Sequence, residues 1–297
     1  MTVLAIFGPT ASGKSAVAGE IAQRIPAELV SADSMQVYRG LPILTAQPER
    51  PTHLVAIWEL DHEASVVEYQ ALAHRAVDEA LEDGRTPVVV GGTGLYLRAA
   101  LSDLAPPPSP ARADRQRWTR LYDRVGPVQA HALLMALDPP AATRVHPNDR
   151  RRVVRALELA EIGESLEPGL ETLWSGETRH PTLLFGLEVA REELERRIVR
   201  RTREMFDLGV EDEVRRALAH PLSHTARHAL GLEEIAQLSR EEALAAIVLR
   251  TRRYAAYQRK WMRRLPELIR VEAARPPDET ADEILEVART RERLPAH

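Results

Sequence analysis

The chain has 297 residues, of which 44% are hydrophobic and 28% charged, with no cysteine and a formal net charge of −4. That length holds one large α/β domain or a core with a smaller inserted one, and the lack of cysteine excludes disulfides, cysteine-type zinc clusters and thiol catalysis. No run approaches the ~18 consecutive apolar residues of a membrane span, and the sequence enters an apolar strand-like run almost at once, so a cytoplasmic protein is expected.

The run "VLAIF" (Val3 to Phe7) predicts a strand and is followed by "GPTASGKS" (Gly8 to Ser15) and a helix from Lys14 to Arg24. Next come "AELVS" and "HLVAI" as strands, a helix from about Ser65 to Glu82, and "TPVVVGG" as another strand. Alternating strands and helices predict a parallel sheet covered on both faces. The proline-rich "LAPPPSPARAD" (Leu104 to Asp114) predicts a stiff connector. From about Ala111 to Leu166 the pattern is helical and Arg-rich, and a loop then leads to a further strand in "TLLFGLEVA" (Thr182 to Ala190). Residues from Arg191 to Arg264 read as nearly all helix, broken near "AHPLSHTARHALG". "ELIRVEA" supplies a last strand and Asp282 to Arg293 a last helix. The expected fold is an α/β P-loop parallel-sheet core with a helical insertion domain and additional C-terminal helices. Residues 1–108 form the first part of the core, 109–180 the helical insert, and 181–297 the core continuation with a C-terminal helical part.

"GPTASGKS" satisfies G-x-x-x-x-G-K-[ST] between a strand and a helix, which is the context a phosphate cradle requires. In the loop of Gly8, Pro9, Thr10, Ala11, Ser12 and Gly13, the two glycines let backbone N–H groups turn inward, Lys14 neutralises phosphate charge, and the Ser15 hydroxyl suits magnesium. Of the 40 basic residues 38 are arginine, and the only lysines are Lys14 and Lys260. Keeping a compact ammonium at position 14 marks it as functional, because a planar guanidinium would not enter the cradle. A hydrolase of this class carries an apolar strand ending in Asp, whereas "PVVVGG" ends in glycine and "HLVAI" runs into Trp58, which argues against nucleotide hydrolysis. The first acidic group within reach is Asp33, expected at the carboxyl end of the strand neighbouring the P-loop strand, where ligands of open α/β sheets bind. A turn or helix-capping Asp is the plainer reading. "GGTG" (Gly91 to Gly94) offers close backbone approach and the Thr93 hydroxyl, or is simply a turn.

Charge is unevenly spread: residues 1–105 carry net −6, residues 106–270 net +5 and residues 271–297 net −3. The clusters "RVHPNDRRRVVR" (Arg144 to Arg155) and "RTRRYAAYQRKWMRR" (Arg250 to Arg264) suit a phosphate backbone, though each also reads as a solvated helix face. Trp261 among the arginines either stacks on a base or anchors the core. His220, His224 and His228 mimic a metal stripe, but Pro221 breaks any helix through them.

"GPTASGKS", "SADSMQVYRGLPI", "TAQP", "GGTGLYLRA", "DPPAATRVHPNDRRRVVRALE" and "TRRYAAYQRKWMRR" together resemble the tRNA dimethylallyltransferases. The resemblance implies that the loop holds the diphosphate of dimethylallyl diphosphate, with Mg2+ as cofactor. It assigns the base that deprotonates the acceptor amine to Asp33, and a part in placing magnesium and substrate to Thr93. It implies that Asp33, Ser34, Met35 and Gln36 meet the flipped adenine. It points to Arg115, Arg151, Arg152, Arg155, Arg259, Lys260 and Arg263 as tRNA contacts. Arg151 stands where the family usually has glutamine, and Ala255, Ala256, Tyr257 and Gln258 stand where it usually reads A-K-R-Q. The expected partners are tRNA and dimethylallyl diphosphate, with no membrane, and the expected state is a monomer. A P-loop small-molecule kinase, with Asp33 as base and ATP as donor, is the alternative; it leaves the Arg-rich second half without a role. A non-catalytic RNA-binding protein leaves Lys14, Ser15 and Asp33 together unexplained.

Overall fold

The computed structural model describes residues 2–104, 112–166 and 176–293. They fall into two compact units, one of residues 1–103 with 176–297 and one of residues 104–175. In chain order the first unit begins with β1 (Val3–Phe7), α1 (Lys14–Arg24), β2 (Ala27–Ser31), α2 (Val66–Glu82), β3 (Thr86–Gly91) and α3 (Gly94–Leu101). The second unit holds α4 (Arg112–Val125), α5 (Pro127–Leu137), α6 (Pro139–Arg144) and α7 (Arg150–Glu161). The first unit then resumes with β4 (Thr182–Glu188), α8 (Arg191–Asp207), α9 (Val210–Leu218), α10 (Leu232–Gln237), α11 (Arg240–Met262), β5 (Ile269–Glu272) and α12 (Pro277–Arg293).

The five strands form one parallel sheet of order β2-β3-β1-β4-β5. All five residues of β1 are buried, as a central strand covered on both faces requires. Leu4 aligns with Val88 on one side and Leu183 on the other, and Leu4, Ile6, Val17, Ile21, Val88, Phe185 and Leu187 share one apolar core. This sheet holds the carboxyl ends of β1, β3 and β4 side by side.

Three expectations are corrected. Asp33 does not follow the strand that neighbours β1, because β3 lies between β1 and β2. "HLVAI" is not a strand: His53 alone bridges Val30, and Leu54 and Ala56 adopt φ of 64° and 52°, which ends the extended run. The backbone then turns back, with the Ala56 and Ile57 amides donating to the Gln36 and Val37 carbonyls at 2.8 Å. The last helix begins at Pro277, five residues before the expected Asp282. Proline suits a first helical position, and Asp278 and Glu279 in the first turn favour its positive end.

In the second unit Tyr122, Ala130, Leu134, Val153 and Leu157 form a separate core. Asp138 and Asp149 cap α6 and α7 by accepting from the Ala141 and Arg152 amides. Most of the expected connector and loop, at residues 105–111 and 167–175, lies outside the described residues. No helix among the described residues is long and apolar enough to cross a membrane.

Candidate active site

The loop between β1 and α1 turns at once. A Cβ on Gly8 would lie 2.8 Å from Ser12 Oγ and 3.2 Å from Leu187 Cβ, so only glycine fits the turn. Ala11 (φ 62°) and Gly13 (φ 94°) are left-handed, which coils the backbone around a centre. Gly13 caps α1 without any side-chain hydrogen bond, so the N–H groups of the first turn face outward as an anion site. Lys14 Nζ donates to the Pro9 carbonyl at 2.8 Å. Burial lowers the Lys14 ammonium to a pKa of about 8, with Asp33 raising it and Arg201 lowering it further. Arg201, on α8, donates to Thr10 Oγ1 at 3.0 Å, and Arg197 on the same helix donates to the Ala273 carbonyl at 3.0 Å. Lys14 thus meets the loop from within and Arg201 from outside, and Arg197 also donates to the Ser12 carbonyl, at 3.5 Å.

Asp33 reaches the same place across the end of β3. The Ala32 amide donates to the Val90 carbonyl at 2.8 Å, and a Cβ on Gly91 would collide with the Ala32 carbonyl. Glycine at position 91 thus lets the strand after β2 cross the tip of β3. Asp33 Oδ1 accepts from the Met35 amide at 2.9 Å, which leaves its second oxygen for other work. Burial lowers the Lys14 and Arg201 cations and raises the Tyr69 and Tyr254 hydroxyls; behind it, the Asp33 charge opposes the lowering of the two cations and adds to the raising of the two tyrosines. Thr93 Oγ1 accepts from the Ser34 amide at 3.3 Å and meets Ser34 Oγ and the Tyr254 hydroxyl, each at 3.4 Å. Asp33, Ser34 and Thr93 are thus brought together, beside Lys14. Gln36 is spent on the fold: Ser31 Oγ donates to its Oε1 at 2.9 Å and its Nε2 donates to the Ala46 carbonyl at 2.9 Å.

The third wall comes from α11. Gln258 is buried; its Oε1 accepts from the Thr10 amide and its Nε2 donates to the Gly92 carbonyl. The Thr10 amide is therefore not available to a phosphate. Trp261 is buried against Gly94, where any Cβ would strike its ring, so it anchors the core. The sequence reading did not assign Gln258, Tyr254 or Arg201. A polar residue in the apolar series Tyr254, Gln258, Trp261 was the signal for Gln258; Arg201, one of six arginines in α8, gave none.

The expected RNA contacts separate. In the second unit Arg115 and Arg155 both pair with the buried carboxylate of Glu158, at 3.4 and 3.2 Å, while Arg151 is exposed and Arg152 lies 3.6 Å from Asp149. In the first unit Arg259 donates to the Val189 carbonyl at 2.5 Å. Together with Arg191, Arg263 and Arg270 it lines an open cleft of about 510 Å³ at the ends of β4 and β5. Lys260 is exposed elsewhere on α11.

The family model described as IPP transferase matches residues 36–265, and the one described as isopentenyl transferase matches residues 1–53. The tRNA dimethylallyltransferase of Streptomyces avermitilis is 40% identical over 90% of this chain and 88% of its own. That of Frankia alni is 42% identical over 87% of this chain and 92% of its own. Among solved structures, the tRNA isopentenylpyrophosphate transferase of Bacillus halodurans superposes with a TM-score of 0.71 and 30% identity, covering 98% of this chain and 96% of that one. A eukaryotic dimethylallyltransferase acting on tRNA, 24% identical with a TM-score of 0.73 over 98% of this chain and 79% of that one, shares the fold. Matched from its first strand to the end of α11, the chain belongs to the IPP transferase family, that of the tRNA dimethylallyltransferases.

Proposed function

We propose that this chain transfers the dimethylallyl group of dimethylallyl diphosphate to the exocyclic N6 amine of the adenosine 3′-adjacent to the anticodon of tRNA. The observation that carries the reading is a phosphate loop with Lys14 on the Pro9 carbonyl and Arg201 on Thr10 Oγ1, facing a turn in which Asp33 accepts from the Met35 amide and Ser34 meets Thr93. A prenyl transfer needs that pairing. The bond between the allylic carbon and the diphosphate oxygen breaks, the leaving diphosphate gathers charge, and Lys14, Arg201 and the α1 amides stabilise it. The N6–C bond forms as Asp33 takes the amine proton. Thr93, held by Ser34 and Tyr254, orients the adenine beside Asp33. The adenine must leave its stack to enter, which an unpaired anticodon loop allows at low cost.

The donor chemistry around the loop fits magnesium. Ser15, Asp33 and Thr93 would offer oxygen donors, and no group of three His, Cys, Asp or Glu among the described residues forms a dedicated metal cage. Magnesium is commonly held by one or two protein oxygens plus substrate phosphates. Ser15 would hold it, and its contribution there would be charge neutralisation on the diphosphate.

Binding of tRNA is assigned to Arg151 and Arg152 of the second unit and to Lys260 and Arg263 of α11, with the protein acting as a monomer in the cytoplasm. The kinase alternative is not favoured, since the relatives are prenyl transferases. The test is incubation of the purified protein with unmodified tRNA and either allyl-labelled dimethylallyl diphosphate or γ-labelled ATP. Label reaching the tRNA from the allylic donor alone is expected; transfer of phosphate from ATP to any acceptor would overturn the reading.

A further inference from the structure

With about 100° of rotation per residue, α11 presents three distinct flanks. Tyr254, Gln258 and Trp261 face the P-loop and the β3 turn. Arg252, Arg259 and Arg263 lie on one side of them, and their contacts agree: Arg252 approaches Glu195, Arg259 binds the Val189 carbonyl, and Arg263 lines the cleft. Arg253, Tyr257 and Lys260 lie on the other side, at i−4, i and i+3. Tyr257 is 52% exposed, whereas Trp261, four residues on, is buried. Arg253 and Lys260 are exposed, and neither has an ion-pair partner among the described residues. The 23-residue helix thus presents a half-exposed aromatic ring between two exposed cations.

From this arrangement we infer that Tyr257 is a stacking platform for an unpaired RNA base, with Arg253 and Lys260 holding the phosphates on either side of it. Single strands are bound in this way, by an aromatic face within a positive track. Tyr257 is one helical turn from Tyr254, whose hydroxyl lies 3.4 Å from Thr93 Oγ1. The stacked base is therefore a neighbour of the base that enters the pocket. The inference rests on the proposed tRNA reading and adds to it a nucleotide subsite.

Stacking and phosphate pairing separate by salt. Binding of the full-length protein to an in-vitro-transcribed tRNA is measured across a salt series for the wild type, Tyr257→Ala, Tyr257→Phe, Tyr257→Leu and Lys260→Ala. Tyr257→Ala and Tyr257→Leu are expected to weaken binding at least about fivefold with an unchanged salt slope, Tyr257→Phe to stay within about twofold, and Lys260→Ala to flatten the slope by roughly 0.7 to 0.9. A 2-aminopurine placed beside the target adenosine should be quenched by the wild type and not by Tyr257→Ala. Wild-type affinity in Tyr257→Ala, or full rescue by leucine, would overturn the platform. In either case the tRNA reading stands if the wild type still prenylates; a wild type that transfers no allyl group sinks that reading first.

Discussion

Gln258 and Thr10, 248 residues apart, are joined by a hydrogen bond of 2.7 Å from the Thr10 amide to Gln258 Oε1. The other end of the same side chain donates to the Gly92 carbonyl at 2.8 Å, so one amide fixes the P-loop to the turn that carries Thr93. The Gln258→Leu protein should lose both bonds and leave the half-buried Thr10 amide and the buried Gly92 carbonyl unpaired, the buried one at a cost of roughly 1 to 3 kcal/mol. We expect a lower melting temperature and a kcat/KM for dimethylallyl diphosphate reduced at least tenfold. Gln258→Glu keeps the acceptor for Thr10 but sets a carboxylate against the Gly92 carbonyl, so it should lose activity too. Wild-type kinetics in both variants would show that the loop holds its own shape.

Asp33→Ala should lower transfer by about two to four orders of magnitude while leaving tRNA affinity within a few fold. Asp33→Asn keeps an acceptor for the Met35 amide and should be as inactive, which separates the base from the turn. Single-turnover transfer with saturating tRNA is the measurement, and near-normal rates in Asp33→Asn would remove it from proton transfer.

The Lys14 ammonium, lowered to about 8 by burial, gives the reaction an alkaline limb. As pH rises through about 8 the charge that meets the diphosphate is lost, and kcat/KM for dimethylallyl diphosphate should fall with it. Since Asp33 raises this group, Asp33→Asn should move the limb to lower pH, in whatever residual activity or inorganic diphosphate binding remains. The unfolded chain, with Lys14 at 10.5, binds the more protons between about 8 and 10.5, so ligand-free stability should rise with pH across that window. Melting curves with and without inorganic diphosphate would check this: bound anion should flatten the rise, and Lys14→Met should abolish it.

Two arginines of one helix should behave differently. Arg155 pairs with buried Glu158, so Arg155→Ala leaves that carboxylate with Arg115, its other ion-pair partner among the described residues, and should destabilise the second unit by several kcal/mol. Arg152, with its long contact to Asp149, should be dispensable for folding, and its alanine variant should weaken tRNA binding and flatten the salt slope by about one phosphate. Calorimetry and a salt titration on both proteins decide; an unchanged slope in Arg152→Ala would make that residue structural.

The strand at "TPVVVGG", the P-loop and the helix after it are legible because each couples an apolar period to glycine or lysine at a fixed offset. The order of strands is not. The apolar runs show that β1, β2 and β3 are strands of a covered parallel sheet, but either β2 or β3 can sit beside β1, and only packing puts β3 there. "HLVAI" misleads because its apolar run covers the core while Leu54 and Ala56 turn left-handed, and nothing in the residue types demands that. Lys14 is legible as an exception to the chain's arginine habit. Arg201 is hidden by that habit, and Gln258 by a sequence separation no local pattern spans.

The cradle hangs from β1, the middle strand, with β3 and β4 bonded along both of its edges. Such a strand cannot fray by itself; its amides should exchange with solvent only when the whole sheet opens. Damage elsewhere in that unit would then reduce how many molecules are competent, while each surviving molecule works at full speed.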